Sequence, residues 1–170
     1  MGAPVPDPGW PLCELVAQSD TECWAKYRQI YLEEYVHAEV RDWAGRRVVF
    51  HAPTFEHAFS EATNYRLSAG VHDVPFSAAR LQRIWWIKWA LAGEGVNIEV
   101  IAQTRKDSRG RSRKRRTVVV LDNRYVVVLE PCPSAEDRNQ LMFITAFPAD
   151  QAYLDRVRRG AQVVERRAQK

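Results

Sequence analysis

The chain has 170 residues, a formal net charge of +4, and six each of Trp, Tyr and Phe. That length suits one compact domain with an extension, and the aromatics supply the bulk of a core. No apolar run reaches the length of a membrane span, and three cysteines without a CxxC pair make no disulfide framework.

Cys13, Cys23 and Cys132 read as free thiols in a reducing compartment, so the expected location is cytoplasmic. The opening MGAPVPDPGWPL has neither a basic region nor an apolar signal core, and export by a standard signal is not expected. Met1-Gly2 without Ser or Thr at the sixth residue argues against myristoylation. The charge is uneven. Residues 1–45 carry eight acids (Asp7, Glu14, Asp20, Glu22, Glu33, Glu34, Glu39, Asp42) and three bases (Lys26, Arg28, Arg41), a net of −5. The whole chain is +4, so the remainder carries +9. A basic body with an acidic arm suits a protein that meets polyanions.

Residues 1–11 hold Pro4, Pro6, Pro8 and Pro11 and read as an extended or disordered leader. From Asp20 to Trp43 the pattern is helical, with an aromatic stripe of Trp24, Tyr27, Tyr31, Tyr35 and Ala38. This helix either packs on the domain or docks over the basic face. Gly45 ends it, and RRVVF at 46–50 reads as a short strand. After His51-Ala52-Pro53, Thr54 is placed to cap a helix running to about Leu67. Phe55, Ala58, Phe59 and Ala62 form its buried stripe. His57, Ser60, Glu61 and Asn64 lie on the other side, so His57 faces solvent or a cleft.

A loop with Gly70 and Pro75 leads to SAARLQRIWWIKWALA, Ser77–Ala92, the stretch around which the chain is organised. Ser77 is its N-cap, and Gly93 and Gly95 stop it. Ile84, Ile87 and Leu91 share a stripe, and Arg80 falls in the middle of it, with Lys88 between Ile84 and Leu81. A cation where the pattern calls for an apolar residue needs an offset. Either these side chains snorkel or meet a carboxylate, or the face borders a cleft that receives an anion.

Beyond Gly95, Val96–Gln103 alternates as a strand. The run TRKDSRGRSRKRR follows, with Arg105, Lys106, Arg109, Arg111, Arg113, Lys114, Arg115 and Arg116 against the single acid Asp107. Next comes a hairpin, TVVVL-DN-RYVVVLE, apolar on both faces and therefore expected mid-sheet, with Asp122-Asn123 as its turn. Residues 134–139 are polar loop. Gln140–Phe147 is a last strand, in which Thr145 is a lone hydroxyl expected beside Leu141, Phe143 and Phe147. Asp150 caps a closing helix to about Ala168. The fold class expected is α+β: N-terminal helices packed on a four-stranded antiparallel meander sheet, with a C-terminal helix.

HExxH, CxxC, GxxxxGK[ST] and GxSxG are absent, so the chain lacks the motifs of zinc hydrolases, P-loop enzymes and Ser hydrolases. No cofactor and no metal are expected. The run HAFSEATNY…FSAARLQRIWWIKWAL…RYVVVL…FITAFP resembles the barnase–EndoU–colicin–RelE (BECR) group of metal-independent ribonucleases, in its phage and polymorphic-toxin branch. The resemblance covers roughly Arg46 to Pro148 and divides the chain into a leader and acidic aromatic helix, 1–45, and a nuclease domain, 46–170. It implies catalytic roles for His57 (acid–base), Arg80 and Arg83 (phosphate), Tyr125 and Thr145. It departs from the group's pattern in having no second helix histidine beside His57 and no Lys partner except Lys88.

The activity implied is endonucleolytic cleavage of RNA by 2′-hydroxyl attack, leaving a 2′,3′-cyclic phosphate. Lys88 and the cations of 105–116 would bind nucleic acid, and Trp86 would either stack on a base or lie in the core. Implied partners are RNA, tRNA among the candidates, and an immunity or antitoxin protein, in the cytoplasm of a bacterial cell or a phage-infected host. The alternatives are a non-catalytic nucleic-acid-binding or host-inhibiting phage protein on the same frame, and a protein-interaction module docking through helix 20–43.

Overall fold

The computed structural model describes residues 9–61, 76–133 and 139–169. Asn64, the loop at Gly70 and Pro75, and most of the 134–139 loop lie outside the described residues, as does the leader before Gly9. In chain order the elements are α1 (Asp20–Tyr31), a π-helical turn (Leu32–Val36), β1 (Val40–Arg41), β2 (Arg47–Val49), α2 (Thr54–Phe59), α3 (Ala78–Leu81) and α4 (Trp86–Ala92). They continue with β3 (Ile98–Lys106), β4 (Ser112–Val120), β5 (Tyr125–Pro131), β6 (Leu141–Pro148), α5 (Gln151–Arg158) and β7 (Gln162–Arg167).

The expected four-stranded antiparallel meander is not what forms. The sheet has seven strands in the order β1-β2-β6-β5-β4-β3-β7, and it is mixed, because β2 runs parallel to β6 while every other pair is antiparallel. Three departures from the expected elements account for this. The first helix ends at Val36, short of Trp43, and the residues after it supply β1. RRVVF does form a strand, but it joins the edge of β6 through Val48↔Leu141 and Val49↔Met142. The closing helix stops at Arg158, where Gly160 takes a left-handed φ of 67°, and the following QVVERR pairs with β3 as an edge strand.

The caps follow ordinary chemistry. Ser19 and Ser77 each accept a hydrogen bond from a backbone N–H three residues on, as Asp150 does from Tyr153 (2.7 Å), satisfying first-turn donors. Gly93 closes α4 in the left-handed conformation at φ 64°. The β4–β5 turn spans Leu121–Arg124, and its left-handed residue is Arg124 (φ 57°) rather than Asp122 or Asn123. Asp122 instead accepts two hydrogen bonds from Asn97, from N–H at 2.6 Å and Nδ2 at 3.0 Å.

Each face of the central strands is covered. On one, α1–α4 build an aromatic core in which Tyr31 contacts Phe50, Phe55, Phe59 and Phe143 at ring distances of 5.6–6.4 Å. The stripe Trp24, Tyr27, Tyr31 and Tyr35 thus belongs to the core rather than to a docking surface. On the other, α5 lays Leu154 and Val157 over Ile101, Val119, Val126 and Val128. The sheet also curls until its ends meet. Trp43 and Arg46, between β1 and β2, reach Glu165 on β7 at 2.5 and 3.3 Å, although β1 and β7 are opposite ends of the strand order. Among the described residues no helix is long and apolar enough to cross a membrane.

Candidate functional site

The stretch 77–92 is not one helix. It breaks into α3 and α4 through a turn with i→i+3 hydrogen bonds at Arg83, Ile84 and Trp86. Two buried phenols take carbonyls at the break: Tyr35 donates to Ile84 O (2.5 Å) and Tyr125 to Arg83 O (3.4 Å). The break separates the two cations that crowded the apolar stripe. Lys88 pairs with Glu34 at 2.7 Å and lies over the rings of Tyr35 and Trp85. Arg80 points elsewhere, to the end of α2. There its Nη1 donates to Ala58 O at 3.1 Å, and its guanidinium lies 5.1 Å over the ring of Phe147.

A β-bulge brings Thr145 to the same place. Thr145 pairs with Val128 and Phe143 with Leu129, so Ile144 is an extra residue. The bulge takes Thr145 off the parity of Leu141 and Phe143 and into a cross-strand row with Val128 and Thr117. Pairing with β2 has ended at Met142, and the end of α2 stands beside this part of β6. Thr145 Oγ1 donates to Ala58 O at 3.4 Å, so guanidinium and hydroxyl share one carbonyl left unpaired at the C-terminal end of a helix.

His57, the residue before Ala58, is half-buried. Its pKa is lowered from the ordinary 6.5, first by burial and then by the positive charges of Arg115 and Arg80. Burial and both charges favour the neutral imidazole. Arg115 reaches the site from β4, and its Nε pairs with the buried Glu130 at 3.0 Å. Beside this group a recess of about 150 Å³ is lined by Gln103, Arg105, Arg115, Thr117, Tyr153 and Arg156, with Val128 and Val157 at its apolar side. The phenol of Tyr153 is raised by burial, while the charges of Arg105, Arg115, Arg156 and Arg80 pull the other way.

The structure thus gathers His57, Arg80 and Thr145 with Arg115 of the basic run, while Arg105 lines the adjoining recess. It does not bring the other sequence candidates there. Tyr125 is fully buried, burial drives its pKa far above the ordinary phenol range, and it braces the helix break instead of meeting solvent. Arg83 lies 4.9 Å over Trp86 and donates to Ala79 O at 2.8 Å. Trp86 itself is 8% exposed, with its Nε1 on Pro11 O (2.9 Å) and Trp10 packed against it at 5.6 Å, so it belongs to the core under the leader.

The run 105–116 is the outer end of the β3–β4 hairpin, with its turn at 107–111. Asp107 organises that turn by accepting from the N–H groups of Arg109 and Arg111, both at 2.9 Å, and by pairing with Arg111 and Arg113. Strand alternation then divides the cations. Arg105, Arg113 and Arg115 share the parity of the recess, whereas Lys106, Lys114 and Arg116 take the other. Arg116 is held by Glu165 at 3.4 Å.

Sequence reasoning missed Tyr153 and Arg156. Both lie on α5, Tyr153 one turn and Arg156 nearly two from the Asp150 cap, and the pairing of an aromatic with a cation three residues on is the signal they offered. Among the described residues no group of three or more His, Cys, Asp or Glu side chains could hold a metal ion. Comparison of the chain with protein-family models, with curated proteins and with solved structures gives no match.

Proposed function

We propose that the chain is a metal-independent endoribonuclease that cleaves RNA by 2′-hydroxyl attack. The observation that carries this reading is the convergence, from α2, α3, β4 and β6, of an imidazole, two guanidiniums and a hydroxyl. RNA supplies its own nucleophile, so the protein needs a base, an acid and donors for the phosphate. His57 takes the 2′-hydroxyl proton as the O2′–P bond forms. Arg80 and Arg115, with Thr145 once its hydroxyl turns from the Ala58 carbonyl, hold the non-bridging oxygens as negative charge develops, a contribution of about 3–4 kcal/mol for a well-aimed donor. Tyr153 gives its proton to the 5′-oxygen as the P–O5′ bond breaks. The products are a 2′,3′-cyclic phosphate and a 5′-hydroxyl, and water returns the proton from His57 to Tyr153.

Three free thiols fit action in a reducing cytoplasm, with cellular RNA, tRNA among it, as substrate. A nuclease of this kind endangers the cell that makes it, which is the reason to include an immunity or antitoxin partner in the proposal. A bacterial toxin or a phage product is the setting it implies. Labelled RNA incubated with the protein in EDTA should be cut, and His57→Ala and Arg80→Ala should each slow cutting by roughly 10²-fold or more. Cleavage lost in EDTA, or unchanged in both variants, overturns the reading.

The exposed cations Arg105, Lys106, Arg109, Arg111 and Lys114 favour a second reading, a non-catalytic nucleic-acid-binding protein. It predicts binding without cleavage, lost only when these cations are removed.

A further inference from the structure

The recess beside the His57 group contains three arginines, Arg105, Arg115 and Arg156, and among the described residues no carboxylate lines it. Among the described residues Arg115 alone is offset, by Glu130 at 3.0 Å. Arg156 lies 5.4 Å over the ring of Tyr153, an interaction that leaves its charge in place. Like charges brought to one concavity repel unless an anion sits among them. Gln103 anchors one wall by donating from Nε2 to Val157 O at 3.3 Å, tying β3 to α5. The walls are therefore built from two strands and a helix, not from loops, and the Glu130 carboxylate and the Tyr153 ring orient Arg115 and Arg156 before any ligand arrives.

The proposed reaction uses Arg80, His57 and Thr145 at the end of α2, on the other side of Tyr153 and Arg115. Arg115 and Tyr153 are common to both places. We infer that the recess is a second phosphate subsite, which takes the phosphate adjacent to the scissile one and so selects single-stranded RNA of at least two consecutive phosphates. This rests on the ribonuclease reading for the identity of the first site. A double helix is disfavoured as substrate because its phosphates line a continuous rigid surface, whereas a recess of about 150 Å³ walled by α5 and β4 admits one phosphate from a chain that can bend into it. Guanidiniums suit the task because each presents a planar fork to phosphate oxygens.

The test separates binding from cleavage by using deoxynucleotides, which lack the 2′-hydroxyl. A thymidine dinucleotide with one internal phosphodiester is compared with the same dinucleotide bearing an extra terminal phosphate, at the 5′ end in one probe and the 3′ end in another. Affinity is measured for the unaltered protein and for the Arg105→Gln/Arg156→Gln variant, with the Tyr153 ring and His57 imidazole resonances as site reporters. One of the two phosphorylated probes should bind the unaltered protein about tenfold more tightly than the dinucleotide. In the variant that gain should fall below about twofold, while the dinucleotide still perturbs His57. No gain from either terminal phosphate, or an equal gain in the variant, overturns the subsite. Failure of the ribonuclease reading shows itself separately, as absence of RNA cleavage with these affinities intact.

Discussion

On β4, Val118 and Val120 enter the aromatic core beneath α1–α4, while Thr117 and Val119 lie on the side of α5. The same alternation continues outward, where Lys114 and Arg116 follow one side and Arg113 and Arg115 the other. One side is closed by four helical elements and eleven of the twelve largest fully buried side chains lie in its cluster, Ile101 excepted. The other has a single helix of eight residues, which covers the apolar strand ends and leaves the recess open beyond Val157. The contrast teaches where constraint is stored. The closed side fixes the helix break and hence the direction of Arg80. The open side is where charge remains accessible.

The largest expected difference is in stability. Phe143, stacked on Phe50 at 4.6 Å, lies on the closed side, and Phe143→Ala should cost about 3–5 kcal/mol in denaturant unfolding. Tyr153→Phe, on the open side, should cost at most about 1 kcal/mol. Equal costs would break the comparison. In RNA cleavage the order reverses. Arg80→Ala should lower kcat/KM by roughly 10²–10³-fold, with the far smaller folding penalty of one lost hydrogen bond, about 1 kcal/mol.

A third effect is on pH dependence. As the base, His57 must be neutral, and its folded pKa lies below 6.5, so kcat/KM should hold through neutral pH and fall as the pH drops through that lowered value. Arg115→Gln removes one of the charges that lower it and should move the acid limb to higher pH. A limb that stays in place would separate Arg115 from His57. The smallest effect is on salt. Arg105→Gln should reduce the slope of log affinity for RNA against log salt by about 1, and Lys114→Gln, on the other parity, should leave it unchanged. Equal slopes would mean that the whole hairpin grips phosphate regardless of face.

Several of these features could be read from residue order. The misfit of Arg80 in an apolar stripe was legible, because burial of a guanidinium demands a partner, and the structure supplies the Ala58 carbonyl and the Phe147 ring. The Ser77 and Asp150 caps and the doubly apolar β4 and β5 were equally plain. Other features were hidden by their physics. A bulge such as that at Ile144 inverts parity without altering composition, so Thr145 looked aligned with Phe143. The segment after Gly160 carries Arg and Glu at frequencies that suit an exposed helix, and only pairing with β3 makes it a strand. Tyr125 has a polar atom and a core position together, and its hydroxyl turned out to serve a backbone carbonyl. The parallel partnership of β2 with β6 joins residues too far apart in the chain for local pattern to report.

The contact of Trp43 and Arg46 with Glu165 has a consequence for the chain's two extremities. Glu165 is a single anion shared by Arg46 and Arg116, at 3.3 and 3.4 Å. A protease cut behind Arg159 would release that carboxylate and leave Arg116 facing Arg46, whose remaining ion-pair partner among the described residues is Asp42 at 2.6 Å. Trimming the tail would therefore be felt at the head, and the exposed backbone of β3, stripped of its outer neighbour, would become a template for a strand from another molecule.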